Sequence, residues 1–331
     1  MNYIKLGNTE LKVSQLCLGC MGFGDEDPSG LRKWAIDERK SHEILKRAID
    51  LGINFFDTAN TYSAGKSEEF LGRGIKKFVN RHDVVLATKV FFNEYAGSQN
   101  KNGLSRKTIL SEIDKSLNRL QTDYIDLYII HRWDYGTPIE ETLSALHELV
   151  TSGKVRYIGA SAMYAWQFLK AQMTAETLGL TKFVSMQNHL NLIYREEERE
   201  MIPLCKEQEV ALTPYSPLAG GRLVRNINAQ TERSNLDQIN KRKYDATTAQ
   251  DAPIIEKVAE IAGKHEVSRI AVALAWLIQK EICTVPIVGA TKLQHIEDAC
   301  ASIDFRLTGD EIACLEEPYV PHKVSGALAI I

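Results

Sequence analysis

Residues 52–62 read Gly-Ile-Asn-Phe-Phe-Asp-Thr-Ala-Asn-Thr-Tyr. The apolar run Asn54-Phe55-Phe56 closes on Asp57, and Tyr62 follows five residues later in a short loop. Two further stretches have the same form. Val84-Val85-Leu86-Ala87 leads through Thr88 into Lys89, and the apolar stretch 125–130 leads into His131. Short apolar runs of this kind read as fully buried strands. Each ends on a residue with proton or charge chemistry.

Outward from these runs the chain alternates strand and helix. A hairpin over about the first ten residues, turning at Gly7-Asn8, precedes a first strand at 16–18. Helix 38–51 stops at Gly52, strand two holds Phe55 and Phe56, and a helix spans 66–79. Strand three at 84–88, helix 105–120 and strand four at 125–130 follow. Helix 139–151, strand 155–158, helix 165–178, strand 183–186, helix 196–207 and strand 210–213 continue the pattern. A polar loop is expected over 222–251, then helices at 252–265 and 269–280, strand eight at 284–287 and a last helix from Lys292. Uninterrupted alternation argues for an α/β fold with a parallel sheet and helices outside. Eight units close naturally into a (β/α)8 TIM barrel. The expectation is one domain, 1–331, with an N-terminal hairpin and long loops at the C-terminal mouth. A long loop in a compact domain is more often a lid than an accident.

Composition fits that picture. The chain has 331 residues, 44% hydrophobic and 25% charged, with a formal net charge of -3. This length supports a large core, and the charge shows no bias toward nucleic acid or an anionic membrane. No apolar run approaches the roughly 18 residues of a membrane span. The start lacks a basic segment followed by an apolar one, so no signal peptide is expected. Six scattered cysteines in a chain of this size point to a reducing cytoplasm without disulfides.

Several familiar motifs are incomplete. Gly65-Lys66-Ser67 opens a helix after a strand, but a phosphate-binding loop needs Gly where Asn60 stands. Ser67 and the acidic pair Glu68-Glu69 are expected to favour the helix start instead. Gly19, Gly22 and Gly24 lack Rossmann spacing. Cys17 and Cys20 form one C-x-x-C pair with no second pair, and His147-Glu148 meets Thr151 where a zinc protease has His. No metal site is expected.

The strand-end set carries more. Asp57, Lys89 and His131 fall at the C-terminal edge of successive strands, where barrel enzymes keep their active sites. Free tyrosine, with a pKa near about 10, is a sluggish acid at neutral pH, and a nearby ammonium favours the phenolate. Asp57 would hold Lys89 charged and oriented, Tyr62 would be the acid, and His131 would hydrogen-bond a substrate oxygen. Such a set protonates a carbonyl oxygen while another group supplies hydride. Two other classes stay open: a Schiff-base aldolase or lyase acting through Lys89, and a redox-sensing regulatory subunit.

Across nearly its whole length the chain resembles the aldo-keto reductases. The segments that carry the resemblance are LKVSQLCLGCMGFG, GINFFDTANTY, VVLATKV, YIDLYIIHRWD, GKVRYIGASAM, VSMQNHLNLIYRE, ALTPYSPLAGGRL and VPIVGATKLQHIED. The wording IGASAMYAWQF and QNHLNLIYREEEREMIPLC is similar to the bacterial YajO-like subgroup, itself related to potassium-channel beta subunits. The resemblance implies a cytoplasmic oxidoreductase that reduces aldehydes or ketones to alcohols with NADPH, NADH being less favoured. It assigns catalysis to Tyr62, Asp57, Lys89 and His131. Ser161 and Gln187 would hold the nicotinamide carboxamide, and Tyr215 would stack on its ring. Ser216, Leu218, Gly220 and Arg222 would line the pyrophosphate, with Arg225 adding charge. Gly289, Thr291 and Lys292 would take the 2′-phosphate at a helix N-terminus suited to anions. His295 and Asp298 replace the family's common Gln and Glu near the adenine, and Ala162 stands where many members have Asn.

The partner is expected to be a small carbonyl compound, and the protein a monomer or small homo-oligomer. Phe23, Trp34, Phe91, Tyr95 and Trp133, in or near mouth loops, are candidates for an aromatic substrate pocket.

Overall fold

The computed structural model describes the chain except residues 26–29, 31, 93–102, 228, 230, 283 and 327–331. Tyr95, most of the 91–104 loop and the end of the tail therefore lie outside the described residues.

Strands β1 (Tyr3–Lys5) and β2 (Lys12–Ser14) form the expected antiparallel hairpin. Gly7 turns it at φ 58°, the left-handed region that favours glycine. Eight parallel strands follow: β3 (Cys17–Gly19), β4 (Phe55–Asp57), β5 (Val85–Val90), β6 (Ile125–Ile130), β7 (Val155–Ser161), β8 (Phe183–Gln187), β9 (Ala211–Leu212) and β10 (Ile287–Gly289). Their order is β10-β3-β4-β5-β6-β7-β8-β9. Isolated parallel bridges, Leu212 to Thr284 and Tyr215 to Ile287, join the two ends of this curled sheet. The arrangement is consistent with the (β/α)8 expectation.

Both faces of the sheet are apolar, as parallel strands require. Every residue of β5 and β6 is buried. Alternate residues serve two cores. Phe55, Val85, Ala87, Leu127 and Ile129 pack together with Leu6, Leu11 and Val13 of the hairpin segment. Phe56, Leu86, Val90, Tyr128 and Ile130 face the helical layer.

Helix α1 (Glu38–Asp50) shows why these segments coil. Asp37 caps it by accepting from the Lys40 N–H at 2.8 Å. Ser41, Ile44, Leu45 and Ala48 form its buried stripe. Helices α2 (Lys66–Phe78), α3 (Arg106–Leu120), α4 (Ile139–Thr151) and α5 (Ala165–Thr177) continue the layer. Where α2 crosses α3, a Cβ on Gly72 would sit 2.6 Å from the Leu120 carbonyl group. Gly72→Ala is therefore expected to cost about 1–3 kcal/mol of stability. Equilibrium denaturant unfolding measures it, and an unchanged midpoint would mean the helices separate freely.

Four expectations need correction. The 196–207 stretch is a 3₁₀ turn at Glu196–Glu198 followed by α6 (Met201–Glu207). The last strand lies at 287–289 rather than 284–287. Pro286 has no N–H for a ladder, and the pairing with Cys17–Gly19 begins at Ile287. The 222–251 stretch is not a loop: it holds α7 (Glu232–Leu236), α8 (Gln238–Tyr244) and the start of α9 (Thr248–Lys264). Helices α10 (Arg269–Ile278), α11 (Leu293–Ala301) and α12 (Gly309–Glu316) complete the chain. Finally, Ser67 and Glu68 do not serve the α2 start. The Ser67 hydroxyl donates to Cys20 O at 2.7 Å, and the buried Glu68 carboxylate takes Arg119 and Thr88, each at 2.6 Å.

Candidate active site

Adjacent strands β4, β5 and β6 carry Asp57, Lys89 and, one residue on, His131 to one edge of the sheet. The Lys89 ammonium is fully buried. It donates to Asp57 Oδ2 at 2.6 Å, Thr58 O at 2.7 Å and Tyr62 Oη at 3.2 Å. Three contacts match the three N–H bonds of an ammonium. Burial opposes the charge, but Asp57 and Tyr62 outweigh it and hold Lys89 above the ordinary lysine value.

His131 stands edge-on to Tyr62, ring centroids 5.8 Å apart at 82°. Burial, and then Arg132, Lys89 and Arg32, push its pKa well below the usual histidine range. The imidazole is therefore neutral at pH 7 and carries one donor and one acceptor. Its buried Nδ1 has no partner within the described residues.

A strained turn aims Tyr62. Ser63, Ala64 and Gly65 take φ of 48°, 54° and 94° in succession. For the first two, which are not glycine, the left-handed region costs on the order of 1–2 kcal/mol each. Gly24 lies against this turn, where a Cβ would come within 2.3 Å of Ser63 Cβ. Arg32 covers the Tyr62 ring at 5.5 Å from its centroid.

The two residues expected to hold a carboxamide join the same network. Gln187 Nε2 donates to Asp57 Oδ1 at 2.9 Å, and Ser161 Oγ donates to Gln187 O at 2.9 Å. Nothing local in the sequence announces a link across 130 residues.

Tyr215 ends a ring stack. His189 lies parallel to it, centroids 5.2 Å apart at 6°, and is itself stacked on Tyr194 at 4.0 Å. His189 is neutral, its pKa driven down by burial, then Lys243 and His322. The Lys243 ammonium of α8 sits 4.4 Å from the Tyr215 centroid.

The chain turns sharply after Tyr215. Ser216, Ala219, Gly220 and Gly221 all have positive φ, and Leu218 O accepts from Gly221 N at 2.8 Å. Helix α8 packs on this turn, since a Cβ at Gly220 would overlap the Asn240 amide. Arg225 donates to Gly220 O at 3.1 Å and Gly221 O at 2.9 Å. Arg222 is paired with Asp245. A cavity of about 60 Å³ lies among Gly220, Arg222, Arg225 and Asn240. Gly289 ends β10, and Thr291 and Lys292 lead into α11, whose start has no side-chain cap. His295 Nδ1 lies 3.5 Å from Thr291 N, while Asp298 accepts from Gln294 at 2.6 Å on the exposed side.

Phe23, Phe91 and Trp133 are buried in the core facing the helices. Trp34 packs over Gly22. Besides Tyr62, the ring that meets His131 is Phe92, edge-on at 5.1 Å. Phe92, Arg32, Arg132, His189 and Lys243 carried no signal in the sequence beyond residue type, because loops and a distant helix deliver them.

Comparison with known proteins gives a consistent answer. The family model described as aldo/keto reductase family matches residues 15–319. A putative aryl-alcohol dehydrogenase of Schizosaccharomyces pombe is 43% identical, over 98% of this chain and 97% of the relative. Versiconal hemiacetal acetate reductase of Aspergillus parasiticus is also 43% identical, over 98% of each. Among solved structures, a thermostable aldo-keto reductase in complex with the inhibitor epalrestat superposes with a TM-score of 0.75. It shares 29% identity and covers 96% of this chain and 100% of its own.

Proposed function

The chain belongs to the aldo/keto reductase family, and from that premise we propose that it is an NADPH-dependent carbonyl reductase in which Tyr62 is the acid. The observation that carries this reading is the Lys89 ammonium, buried and shared between Asp57 Oδ2 and Tyr62 Oη at 2.6 and 3.2 Å. A substrate carbonyl oxygen lies between Tyr62 and the neutral His131. Tyr62 gives its proton to that oxygen, and the phenolate left behind is stabilised by Lys89. When bound, reduced nicotinamide supplies the hydride. The Schiff-base alternative needs a lone pair on Lys89, which an ammonium with all three N–H bonds engaged does not have.

The residues present fit a nicotinamide cofactor. Tyr215 offers a flat ring backed on one side by His189. With their own protons committed to Gln187 O and Asp57, Ser161 Oγ and Gln187 Oε1 offer acceptors suited to a carboxamide NH2. Ser216, Leu218, Gly220, Arg222 and Arg225 would hold the pyrophosphate. The uncapped start of α11, with Gly289, Thr291 and Lys292, would take a 2′-phosphate, which favours NADPH over NADH. His295 and Asp298 would stand near the adenine.

We read the fold as one (β/α)8 domain, with two isolated bridges between the ends of its curled sheet. A reducing cytoplasm suits the free thiols of Cys17, Cys20, Cys205, Cys300 and Cys314. No helix among the described residues is long and apolar enough to cross a membrane. The YajO-like wording remains a subgroup reading beside relatives from fungi.

Loss of NADPH absorbance with a panel of aldehydes and ketones tests the proposal. Turnover is expected with NADPH and weaker turnover with NADH. Tight NADPH binding with no turnover on any carbonyl would move the assignment to the redox-sensing subunit, and absence of NADPH binding would end it.

A further inference from the structure

We propose that Ser325, in the tail after α12, and His189 are positioning residues for the nicotinamide: Ser325 fixes the His189 ring, and His189 sets the Tyr215 ring on which the nicotinamide stacks. The proposal rests on the cofactor reading above and deepens it.

His189 is the buried middle ring of the stack, between Tyr194 at 4.0 Å and Tyr215 at 5.2 Å. Its two nitrogens meet different segments. Nε2 lies 2.6 Å from Tyr244 Oη of α8, and Nδ1 lies 3.0 Å from Ser325 Oγ. The amide of Asn191 decides which nitrogen carries the proton. Asn191 Oδ1 accepts from Ile193 N at 3.1 Å and Nδ2 donates to Ser216 O at 2.9 Å, so the amide has one orientation. Nδ2 also donates to Tyr244 Oη at 3.1 Å and faces His189 Nε2 at 3.4 Å. An amide nitrogen only donates, and a neutral imidazole has one donor and one acceptor. Nε2 is therefore the accepting nitrogen and takes the Tyr244 proton, while the imidazole proton sits on Nδ1. Ser325 Oγ is the acceptor for that proton. Without this oxygen a buried N–H loses its partner and the ring loses its hold.

A fastened tail brings Ser325 to this place. Tyr319 Oη donates to Glu196 Oε1 at 2.7 Å, and His322 N donates to the same oxygen at 2.8 Å. The His322 ring meets Asp251 of α9 at 2.9 Å, with both side chains buried. Ser325 N then donates to Tyr194 Oη at 2.8 Å, so the serine holds two of the three stacked rings. The next residue closes on the third. A Cβ at Gly326 would lie 2.6 Å from Tyr215 Oη and 3.8 Å from Ala162 Cβ. The tail therefore touches both the Tyr215 segment and the Ser161–Ala162 segment, the two sides of the place assigned to the nicotinamide. Bonds spent only on fastening the tail would not need to converge on the ring behind Tyr215.

Ser325→Ala removes one oxygen and leaves the fastenings at Tyr319 and His322 in place. Titration calorimetry compares two ligands: NADPH, and adenosine 2′,5′-bisphosphate, which keeps the adenosine and its 2′-phosphate but has no nicotinamide. In Ser325→Ala the NADPH dissociation constant is expected to rise about tenfold, as a buried N–H left unpaired would give. The bisphosphate constant should stay within about twofold. Ser325→Thr restores the hydroxyl and should recover most of the NADPH affinity. In a Tyr215→Leu background, where the ring is gone, Ser325→Ala should change NADPH affinity by less than about twofold. Gly326→Ala, which presses on Tyr215 Oη directly, is the second variant should Ser325→Ala fold poorly, and it should show the same split between the two ligands. Unchanged NADPH affinity in Ser325→Ala overturns the proposal. So does equal weakening of both ligands, which would make the tail a general support of the fold, and so does failure of Ser325→Thr to improve on Ser325→Ala. A wild type that binds neither ligand ends the cofactor reading itself, and the proposal falls with it.

Discussion

Tyr62→Phe is expected to lower kcat for carbonyl reduction by about 10²–10⁴-fold, the usual worth of a positioned general acid. The change removes one oxygen and keeps the ring that Arg32 covers at 5.5 Å and His131 meets edge-on at 5.8 Å. The turn that aims the ring depends on Ser63, Ala64 and Gly65, none of which is altered. Lys89 keeps Asp57 and Thr58 as acceptors. The loss should therefore fall on kcat, with the NADPH dissociation constant within about twofold of wild type. The neutral His131 can still donate one hydrogen bond to the carbonyl oxygen, so a residual rate is expected. Steady-state kinetics beside a fluorescence titration of NADPH separates the two effects. Turnover within threefold or so of wild type would remove Tyr62 as the acid. A large loss accompanied by weak NADPH binding would show that the phenol shapes the cofactor site instead.

What the sequence discloses about this site follows from the reach of local patterns. Asp57, Lys89 and His131 are legible because a buried strand writes itself as an apolar run, and the first polar residue after it must leave the core. Tyr62 is legible by its distance from Asp57. The bonds that hold the set together are not written locally. Gln187 reaches Asp57 across 130 residues, and Lys243 reaches Tyr215 from a helix whose one fully buried residue is Tyr244. That helix and its neighbour α7 were invisible for a related reason. Helix α8 packs on the Gly220 turn through Asn240, and at seven and five residues the two helices are too short to show a long apolar stripe. Glu68 misled in the opposite sense. An acidic residue in a first turn suits the helix dipole, but here the carboxylate is turned inward, and Arg119 and Thr88 neutralise it in the core. Side-chain direction depends on the neighbour across the interface, which helix position does not disclose.

The second large effect is expected at Asp57. Asp57→Asn leaves the buried Lys89 ammonium without its counter-charge, and breaking a buried ion pair costs about 3–5 kcal/mol. The pH dependence distinguishes this from a simple packing defect. In the wild type Lys89 is held above the ordinary lysine value. Its contribution is then present at every pH below that ordinary value and is lost only as pH rises through the higher folded one. In Asp57→Asn burial, the largest influence on Lys89, acts with Asp57 gone and drives the folded value below the ordinary one. The unfolded chain then binds the proton more readily, so stability rises with pH between the two values. Over the same interval kcat falls, because the ammonium that supports the Tyr62 phenolate is lost. Unfolding midpoint and kcat should therefore move in opposite directions as pH rises from neutrality, which the wild type does not do. Asp57→Asn/Lys89→Met removes the unpaired charge and should recover most of the stability without recovering kcat. An Asp57→Asn protein with wild-type stability and an unaltered pH profile would show that Thr58 O and Tyr62 Oη suffice to hold the ammonium, and Asp57 would lose its place in the site.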